Sequence, residues 1–463
     1  MLTVIAMMVL TRILGPAEYG LYNVSIVSGT VAFTMLGGWL TASISRFHSD
    51  ASLSPPAIPQ LFAAGLIVAL GVLPLFAAVG LALMPQHASL IGPAAFFTLC
   101  HGLHEVGLVA LRVNRKGRVF AALALLRPVA GVALALLFVG ADGGYRGALI
   151  GMSLGAFLAG VPAILLVERM SGLVRPRPRQ TIGFLRFGLP LAFVSSRSMV
   201  TLLLTQYLLG WQIGLAAVGV FAAANTVAAR VIGMPMNSVM QANSADIFSA
   251  WEREGETAMR LALNRLASFL IFISVPFGVL LTFSPNVVAR ALFDSTFAAG
   301  VLPLLPGLAI AALLNGMQGG YLAAIFMVSK RTGAQLMVTL SSLILHGVLS
   351  WVFIAAFGLS GAVMATVASA FFGLVAYYAV ARALRPIPLP WAELGNGLIG
   401  VAILVPFAVF AQNAASPFAI ILLLLAGFAA YFAAMAARGM AAATLTLQAV
   451  MRATGRHGSP PAA

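Results

Sequence analysis

Four arginines lie inside long apolar segments of the chain, where charged side chains are rare: Arg127, Arg197, Arg230 and Arg265. A charge at the centre of a membrane helix costs about 2.5–3.5 kcal/mol on insertion scales, so such residues usually face water, a partner or a ligand. Guanidinium groups stay ionised and bind phosphate oxygens through two parallel hydrogen bonds. The three deeper arginines, all except Arg265, therefore predict a cationic surface for a phosphate-bearing ligand.

A structural interpretation of these arginines stays open. They could donate hydrogen bonds to backbone carbonyls that Pro128, Pro190 and Pro235 leave without partners. Arg265 lies closer to the end of its segment and is predicted to be an interface anchor.

One apolar segment carries three further titratable residues, His101, His104 and Glu105. His101 and Glu105 are four residues apart and share a helix face, so they form a candidate proton-coupling site. Hydrogen bonding between helices is the other interpretation. The spacing does not match the His-Glu-x-x-His zinc pattern, and the single cysteine, Cys100, excludes a cysteine cluster. The sequence predicts no metal, no cofactor and no catalytic residue.

The composition indicates what must position these residues. Of 463 residues 61% are apolar and 8% are charged, and the mean hydropathy is +1.03. A soluble domain is about 25% charged, so a soluble globule is excluded and a polytopic membrane protein is predicted. The net charge is +15, but most basic residues lie in short gaps between apolar runs. They are therefore expected to orient helices rather than bind nucleic acid.

Counting apolar runs of about 20 residues predicts fourteen membrane spans. The first run, at 1 to 10, is too short to cross, so we expect the first helix to be truncated. The others are predicted near 19–42, 59–84, 88–111, 119–139, 147–167, 184–209, 213–240, 260–283, 299–327, 333–357, 359–381, 394–413 and 416–437. The charged stretch 244–259 is predicted to be a short cytoplasmic helix, and 455–463 a disordered tail.

Arginine and lysine are distributed unequally between alternate connections. One set of connections, which includes the C-terminus, holds 19 basic residues, and the opposite set holds only Arg12, Arg146 and Arg290. Because cytoplasmic loops carry the excess of basic residues, the C-terminus is predicted to be cytoplasmic. No large external loop with acid and base residues is predicted, which argues against an enzyme.

Two glycine patterns recur in the second half of the chain. Gly15, Gly20, Leu21 and Tyr22 match Gly214, Gly219, Val220 and Phe221, and Gly144, Gly147, Ala148 and Leu149 match Gly358, Gly361, Ala362 and Val363. Six spans separate the copies, so the repeat is parallel and its axis runs along the membrane normal. We therefore predict an all-α protein with two six-helix bundles around a central cavity. The bundles are 1–183 and 184–385, followed by two further spans in 386–437 and a cytoplasmic tail, 438–463.

Several motifs resemble the polysaccharide biosynthesis, or oligosaccharide flippase, family. They are Arg12-Ile-Leu-Gly-Pro-Ala-Glu-Tyr-Gly-Leu-Tyr, Ser45-Arg46-Phe47, Gly188-Leu-Pro190, Ala217-Val-Gly-Val-Phe221 and Phe357-Gly-Leu-Ser-Gly-Ala362. The chain looks like a Wzx-type member of the multidrug, oligosaccharidyl-lipid and polysaccharide (MOP) exporter superfamily. The resemblance implies that Arg197 and Arg230 face the central cavity and that Arg12 and Arg46 lie at its rims. Relatives often carry an acid where this chain has Thr205 and Gln206.

The function implied by the resemblance is the outward flipping of an undecaprenyl-diphosphate-linked oligosaccharide across the bacterial inner membrane, for O-antigen, capsule or exopolysaccharide synthesis. Arg197, Arg230, Arg127, Arg12 and Arg46 are the candidate substrate-binding residues. Membrane lipids and other polysaccharide-assembly proteins are the expected partners. Two alternatives stay open: a multidrug exporter of the same superfamily and, less favoured, a membrane polysaccharide polymerase or ligase.

Overall fold

The computed structural model describes residues 2–48, 61, 65, 91–171, 177–329, 331–385, 389–414 and 416–453. Within these residues the chain is helical throughout and contains no strand. The predicted span 59–84 lies outside the described residues apart from positions 61 and 65, and so does the predicted tail 455–463.

Seventeen α-helices are described. They are α1 Leu2–Ile13, α2 Pro16–Phe47, α3 Ile91–Val113, α4 Gly117–Phe138, α5 Gly144–Ser171, α6 Pro178–Gln212, α7 Leu215–Ala228, α8 Met234–Glu254, α9 Glu256–Phe283, α10 Pro285–Leu292, α11 Ser295–Val301, α12 Leu305–Met317, α13 Ala323–Val328, α14 Thr332–Leu384, α15 Trp391–Asn413, α16 Pro417–Ala437 and α17 Ala441–Ala453. Three π-helical turns join α4 to α5, α7 to α8 and α12 to α13: Val139–Gly143, Ala229–Gly233 and Gln318–Leu322.

Eleven stretches in the described part of the chain are long and apolar enough to cross a membrane. These stretches account for twelve of the fourteen predicted spans. Helix α14 is 53 residues long and supplies two spans, because its backbone breaks at Gly358. The short apolar helix α1 is the first predicted run, and the remaining span is 59–84. The chain is a multi-pass, all-α membrane protein.

The helices form two compact units. The first comprises Met1–Ala223 and Thr339–Ala362, and the second comprises Ala224–Val338 and Val363–Ala463. In the first unit α2 packs along α6, where the hydroxyl of Ser43 donates a hydrogen bond of 3.0 Å to the carbonyl of Phe184. In the second unit the hydroxyl of Tyr431, on α16, donates a hydrogen bond of 2.9 Å to the carbonyl of Phe272, on α9. The predicted lobes 1–183 and 184–385, which follow from the repeat, stay a prediction.

The glycine repeat has a structural counterpart. Gly144 and Gly358 occupy equivalent positions and share an unusual backbone conformation, with φ of 47° and ψ of −141° at one and φ of 60° and ψ of −135° at the other. Only glycine adopts such angles without strain. The other pair meets directly: a Cβ at Gly20 would collide with the carbonyl of Leu215, and one at Gly219 would collide with the carbonyl of Pro16.

Two predicted segments are corrected by the structure. The charged stretch 244–259 is not a separate short helix, because α8 continues without a break to Glu254 and α9 begins at Glu256. Glycine at 255, with φ of 78°, makes the turn between them. The region after the last predicted span contains a further helix, α17, which is joined to α9 by a 3.1 Å hydrogen bond from the amide of Ala442 to the hydroxyl of Ser268.

Candidate functional site

Arg127, one of the deep arginines, has a carboxylate partner. Its guanidinium donates a hydrogen bond of 3.0 Å to Oε1 of Glu105, which joins α4 to α3. The side chain of Arg127 is 21% exposed and that of Glu105 is 38% exposed. The pair neutralises both charges, so in this structure Arg127 does not present a free cation to a phosphate.

Two histidines complete this cluster. The ring nitrogens Nδ1 of His104 and His101 lie 3.6 and 3.8 Å from the same Oε1 of Glu105. Arginine can only donate, so the 3.2 Å contact between its guanidinium and His104 Nδ1 makes that nitrogen an acceptor. The other ring nitrogen of His104, Nε2, is buried without a partner among the described residues.

His101 is the second histidine of the cluster. Its Nδ1 makes no hydrogen bond to a described residue, and its ring is held between those of Phe33 and Phe97 at 5.4 and 5.6 Å. The predicted proximity of His101 and Glu105 is thus present in the structure. In the described part of the chain, no group of three or more histidine, cysteine, aspartate or glutamate side chains is arranged so that it could hold a metal ion.

Arg230 has a different environment. It lies on the π-helical turn Ala229–Gly233, between α7 and α8, and is half-buried. Among the described residues it has one polar contact, a thioether: its guanidinium lies 3.7 Å from Sδ of Met234. No carboxylate among them comes within 4.0 Å, the distance that would define an ion pair. A π-helical turn inserts an extra residue into a helix and often marks a functional position.

The remaining candidate arginines lie elsewhere. Arg197 is half-buried on α6 and interacts with other groups of the protein. Arg12, at the end of α1, and Arg46, at the end of α2, are exposed, and the guanidinium of Arg46 lies 5.8 Å from the ring centre of Phe47. Arg265 is exposed on α9, as an interface anchor would be.

Neutral residues fill the positions where relatives often carry an acid. The amide of Gln206 donates a hydrogen bond of 2.8 Å to Asn23. The hydroxyl of Thr205 donates to the carbonyl of Thr201, so its oxygen accepts the 2.8 Å hydrogen bond from Nε2 of His346. His346 is 1% exposed, so it is a packed, hydrogen-bonded histidine.

The sequence did not single out the residues that follow Arg230. Asn237, Ser238 and Gln241 are exposed on α8, and we call these three the polar face of α8. Their signal in the sequence was polarity at helical spacing inside a predicted span. The π-helical turn obscures this signal. Its extra residue rotates Arg230 relative to α8, so that regular helix spacing does not predict that Arg230 and these residues share a face.

Comparison with known proteins places this geometry in a family. The family model of polysaccharide biosynthesis proteins matches residues 1–248. An inward-facing multidrug resistance MATE family transporter of the MOP superfamily superposes with a TM-score of 0.61 at 15% identity, covering 82% of this chain and 99% of the transporter. The lipid II flippase MurJ, in an inward closed conformation, gives 0.69 at 14% identity, covering 93% and 97%.

A comparison with curated protein sequences gives no match. At the identities of the two solved structures the likeness concerns the fold, which is that of the MOP superfamily transporters. The family match covers more than half of the sequence and includes the motifs around Arg12 and Arg46 as well as Arg230 and the polar face of α8. The chain belongs to the polysaccharide biosynthesis protein family.

Proposed function

We propose that the protein flips an isoprenoid-diphosphate-linked oligosaccharide, with undecaprenyl as the isoprenoid, outward across the bacterial inner membrane. The observation that carries the proposal is Arg230, a guanidinium within a membrane span whose one polar contact among the described residues is the thioether of Met234. An intramembrane charge without a partner costs free energy and is retained where it serves a function.

The chemistry of Arg230 favours a phosphate-bearing ligand. A guanidinium forms two parallel hydrogen bonds with phosphate oxygens, and it stays ionised. A diphosphate is present in such a cargo whatever sugars follow, so one arginine can serve many glycans. Arg197, Arg12 and Arg46 are proposed to bind the cargo at other stages of its passage, and Arg127 to do so when its ion pair with Glu105 opens.

The family and the fold support transport rather than bond chemistry. Membership of the polysaccharide biosynthesis proteins and the likeness to a lipid II flippase both agree with a lipid-linked sugar cargo. The proposed mechanism is alternating access, with the predicted lobes 1–183 and 184–385 moving around a central cavity. The proposed orientation places the C-terminus in the cytoplasm.

Glu105 and His101 are proposed to couple transport to a proton. A proton on His101 would lie beside the Glu105 carboxylate, 3.8 Å from Oε1, and would compete with Arg127 for that oxygen. Uptake of the proton would thereby weaken the link between α3 and α4.

A multidrug exporter is the second candidate, because the fold is shared with a multidrug resistance transporter. The charge of the site argues against it for cationic drugs. Glu105, the one acid that lies away from the ends of the described spans, is already engaged by Arg127.

Reconstitution tests the proposal. Proteoliposomes would be loaded with undecaprenyl diphosphate that carries a fluorescent pentasaccharide, and movement between leaflets would be followed by quenching from outside. We expect the wild-type protein to move this probe and Arg230→Ala to move it poorly at equal protein levels. Movement of a cationic dye instead of the probe would favour the exporter.

A further inference from the structure

The polar face of α8 lies on the same side of the helix as Arg230. The 3.7 Å contact between Arg230 and Met234 fixes the register across the π-helical turn. Asn237, Ser238 and Gln241 follow Met234 by three, four and seven residues, spacings that place them on one helix face with it. Arg230 and the polar face of α8 therefore form one continuous stripe.

The opposite side of α8 is the packed side. Met236 is 2% exposed, and its side chain lies against Gly316 on α12. Met240 follows one turn later and contacts the position of Gly320, in the third π-helical turn. Apolar residues therefore mediate the contact of α8 with α12 and the third π-helical turn.

The amide of Asn237 and the hydroxyl of Ser238 are available for a ligand. Asn237 makes no hydrogen bond to a described residue, and its amide offers both donors and an acceptor. The hydroxyl of Ser238 donates to the carbonyl of Met234 at 3.0 Å, which leaves its oxygen free to accept. Such groups pair with the hydroxyls of a sugar, whereas hydrocarbon offers them no partner.

The positions along the helix match a headgroup bound at Arg230. At 1.5 Å per residue, Asn237 lies about 10 Å and Gln241 about 16 Å from Arg230 along the axis. The sugars of a diphosphate-linked glycan begin directly after the phosphates, so they would lie against this face when the diphosphate binds Arg230.

We propose that the polar face of α8 binds the first sugars of the cargo and thereby contributes to the recognition of the glycan. The proposal rests on the proposed function, because it takes the diphosphate to be bound at Arg230. It assigns Asn237 and Ser238 a role in glycan affinity that is separate from the binding of the anion.

Binding measurements with two probes test this role. The purified protein would be titrated with undecaprenyl diphosphate that carries a pentasaccharide and, separately, with sugar-free undecaprenyl diphosphate. We expect Asn237→Leu to weaken binding of the pentasaccharide probe by about 3- to 10-fold, the equivalent of one lost hydrogen bond. Binding of the sugar-free probe should be unchanged. Asn237→Ala should show the same difference between the two probes, which would exclude a steric effect of leucine.

Asn243→Leu is the matched control. Asn243 is half-buried on the same helix, on the side of Met236, and its amide donates to the carbonyl of Val239 at 2.8 Å. This variant should bind both probes like the wild type. The role in glycan binding would be overturned if Asn237→Leu weakened the binding of both probes equally, or if it weakened the binding of neither.

The proposed function fails in a different way. A wild-type protein that binds neither probe, or an Arg230→Ala variant that binds both as tightly as the wild type, would overturn the proposed function and with it the role of the polar face.

Discussion

Two exposed helix faces in the second unit differ in chemistry. On α16 the exposed side chains are apolar and large, with Phe418 at 71%, Leu425 at 61% and Ile421 at 56% exposure. On α8 the exposed side chains that follow Arg230 are Asn237, Ser238 and Gln241, the polar face defined above. Both helices belong to stretches long and apolar enough to span a membrane.

The difference shows that exposure on a membrane protein refers to two solvents. Hydrocarbon accepts the side chains of α16 without cost and penalises every unpaired amide or guanidinium. We therefore expect the polar face of α8 to meet water or a polar ligand, and the apolar face of α16 to meet lipid. The predictions below exchange, remove or probe the groups on which this comparison depends.

Placing a charge on the apolar face should have the largest effect. Leu425→Arg would put a guanidinium into the hydrocarbon region at a cost of about 3 kcal/mol. We expect strongly reduced accumulation in the membrane, measured by immunoblotting of membrane fractions, with Leu425→Met as the control. Normal accumulation of the arginine variant would show that this face of α16 is in contact with water.

Removing the charge on the other face should affect transport and not accumulation. Arg230→Ala removes charge-assisted hydrogen bonds worth about 1.5–3 kcal/mol, so the flipping rate should fall about 10- to 100-fold. Lysine should restore only part of it because it lacks the planar fork. If the alanine variant fails to accumulate in the membrane, Arg230 has a structural role, and the polar face of α8 differs from the apolar face of α16 for reasons of stability rather than transport.

Arg127 should respond in the opposite way to Arg230, because it has a partner. Arg127→Ala leaves Glu105 unpaired, and partial exposure of both side chains reduces the expected loss to about 1–3 kcal/mol, below that of a fully buried pair. A lower melting temperature in detergent would report this loss. The double variant Arg127→Ala, Glu105→Ala should recover most of it, and a double variant less stable than either single one would contradict the ion pair.

Met234→Leu should have the smallest effect. The contact between the thioether and the guanidinium of Arg230 is long, and sulfur is a weak acceptor. We expect a change in flipping rate of about twofold or less in the proteoliposome assay. A loss as large as that of Arg230→Ala would mean that Met234 holds the guanidinium in place.

Much of the fold follows from the sequence because membrane spans are set by length and hydrophobicity. The break of α14 at Gly358 coincides with the turn predicted between 333–357 and 359–381, and the shared angles of Gly144 and Gly358 agree with the predicted repeat. Helix α17 lies beyond the last span, where hydropathy carries no signal, and it was not predicted.

The candidate site was less accessible to sequence reasoning. The sequence predicts that Glu105 shares a helix face with His101, but its partner Arg127 depends on which helix packs against α3, and that information is not local. The contact with Arg127 separates this arginine from Arg230, although the sequence presents the two alike. The polar face of α8 depends on the register across a π-helical turn, which the spacing of residues does not reveal.

Thiol labelling compares the two exposed faces most directly. In a variant whose single native cysteine is removed by Cys100→Ala, Asn237→Cys and Leu425→Cys would be reacted separately with a membrane-impermeant maleimide in proteoliposomes of known orientation. Cysteine reacts as the thiolate, which forms in water and not in hydrocarbon. We expect rapid labelling of Asn237→Cys, slowed by undecaprenyl diphosphate that carries a pentasaccharide, and negligible labelling of Leu425→Cys. The account would be contradicted if neither cysteine were labelled, whichever side of the protein faced the reagent.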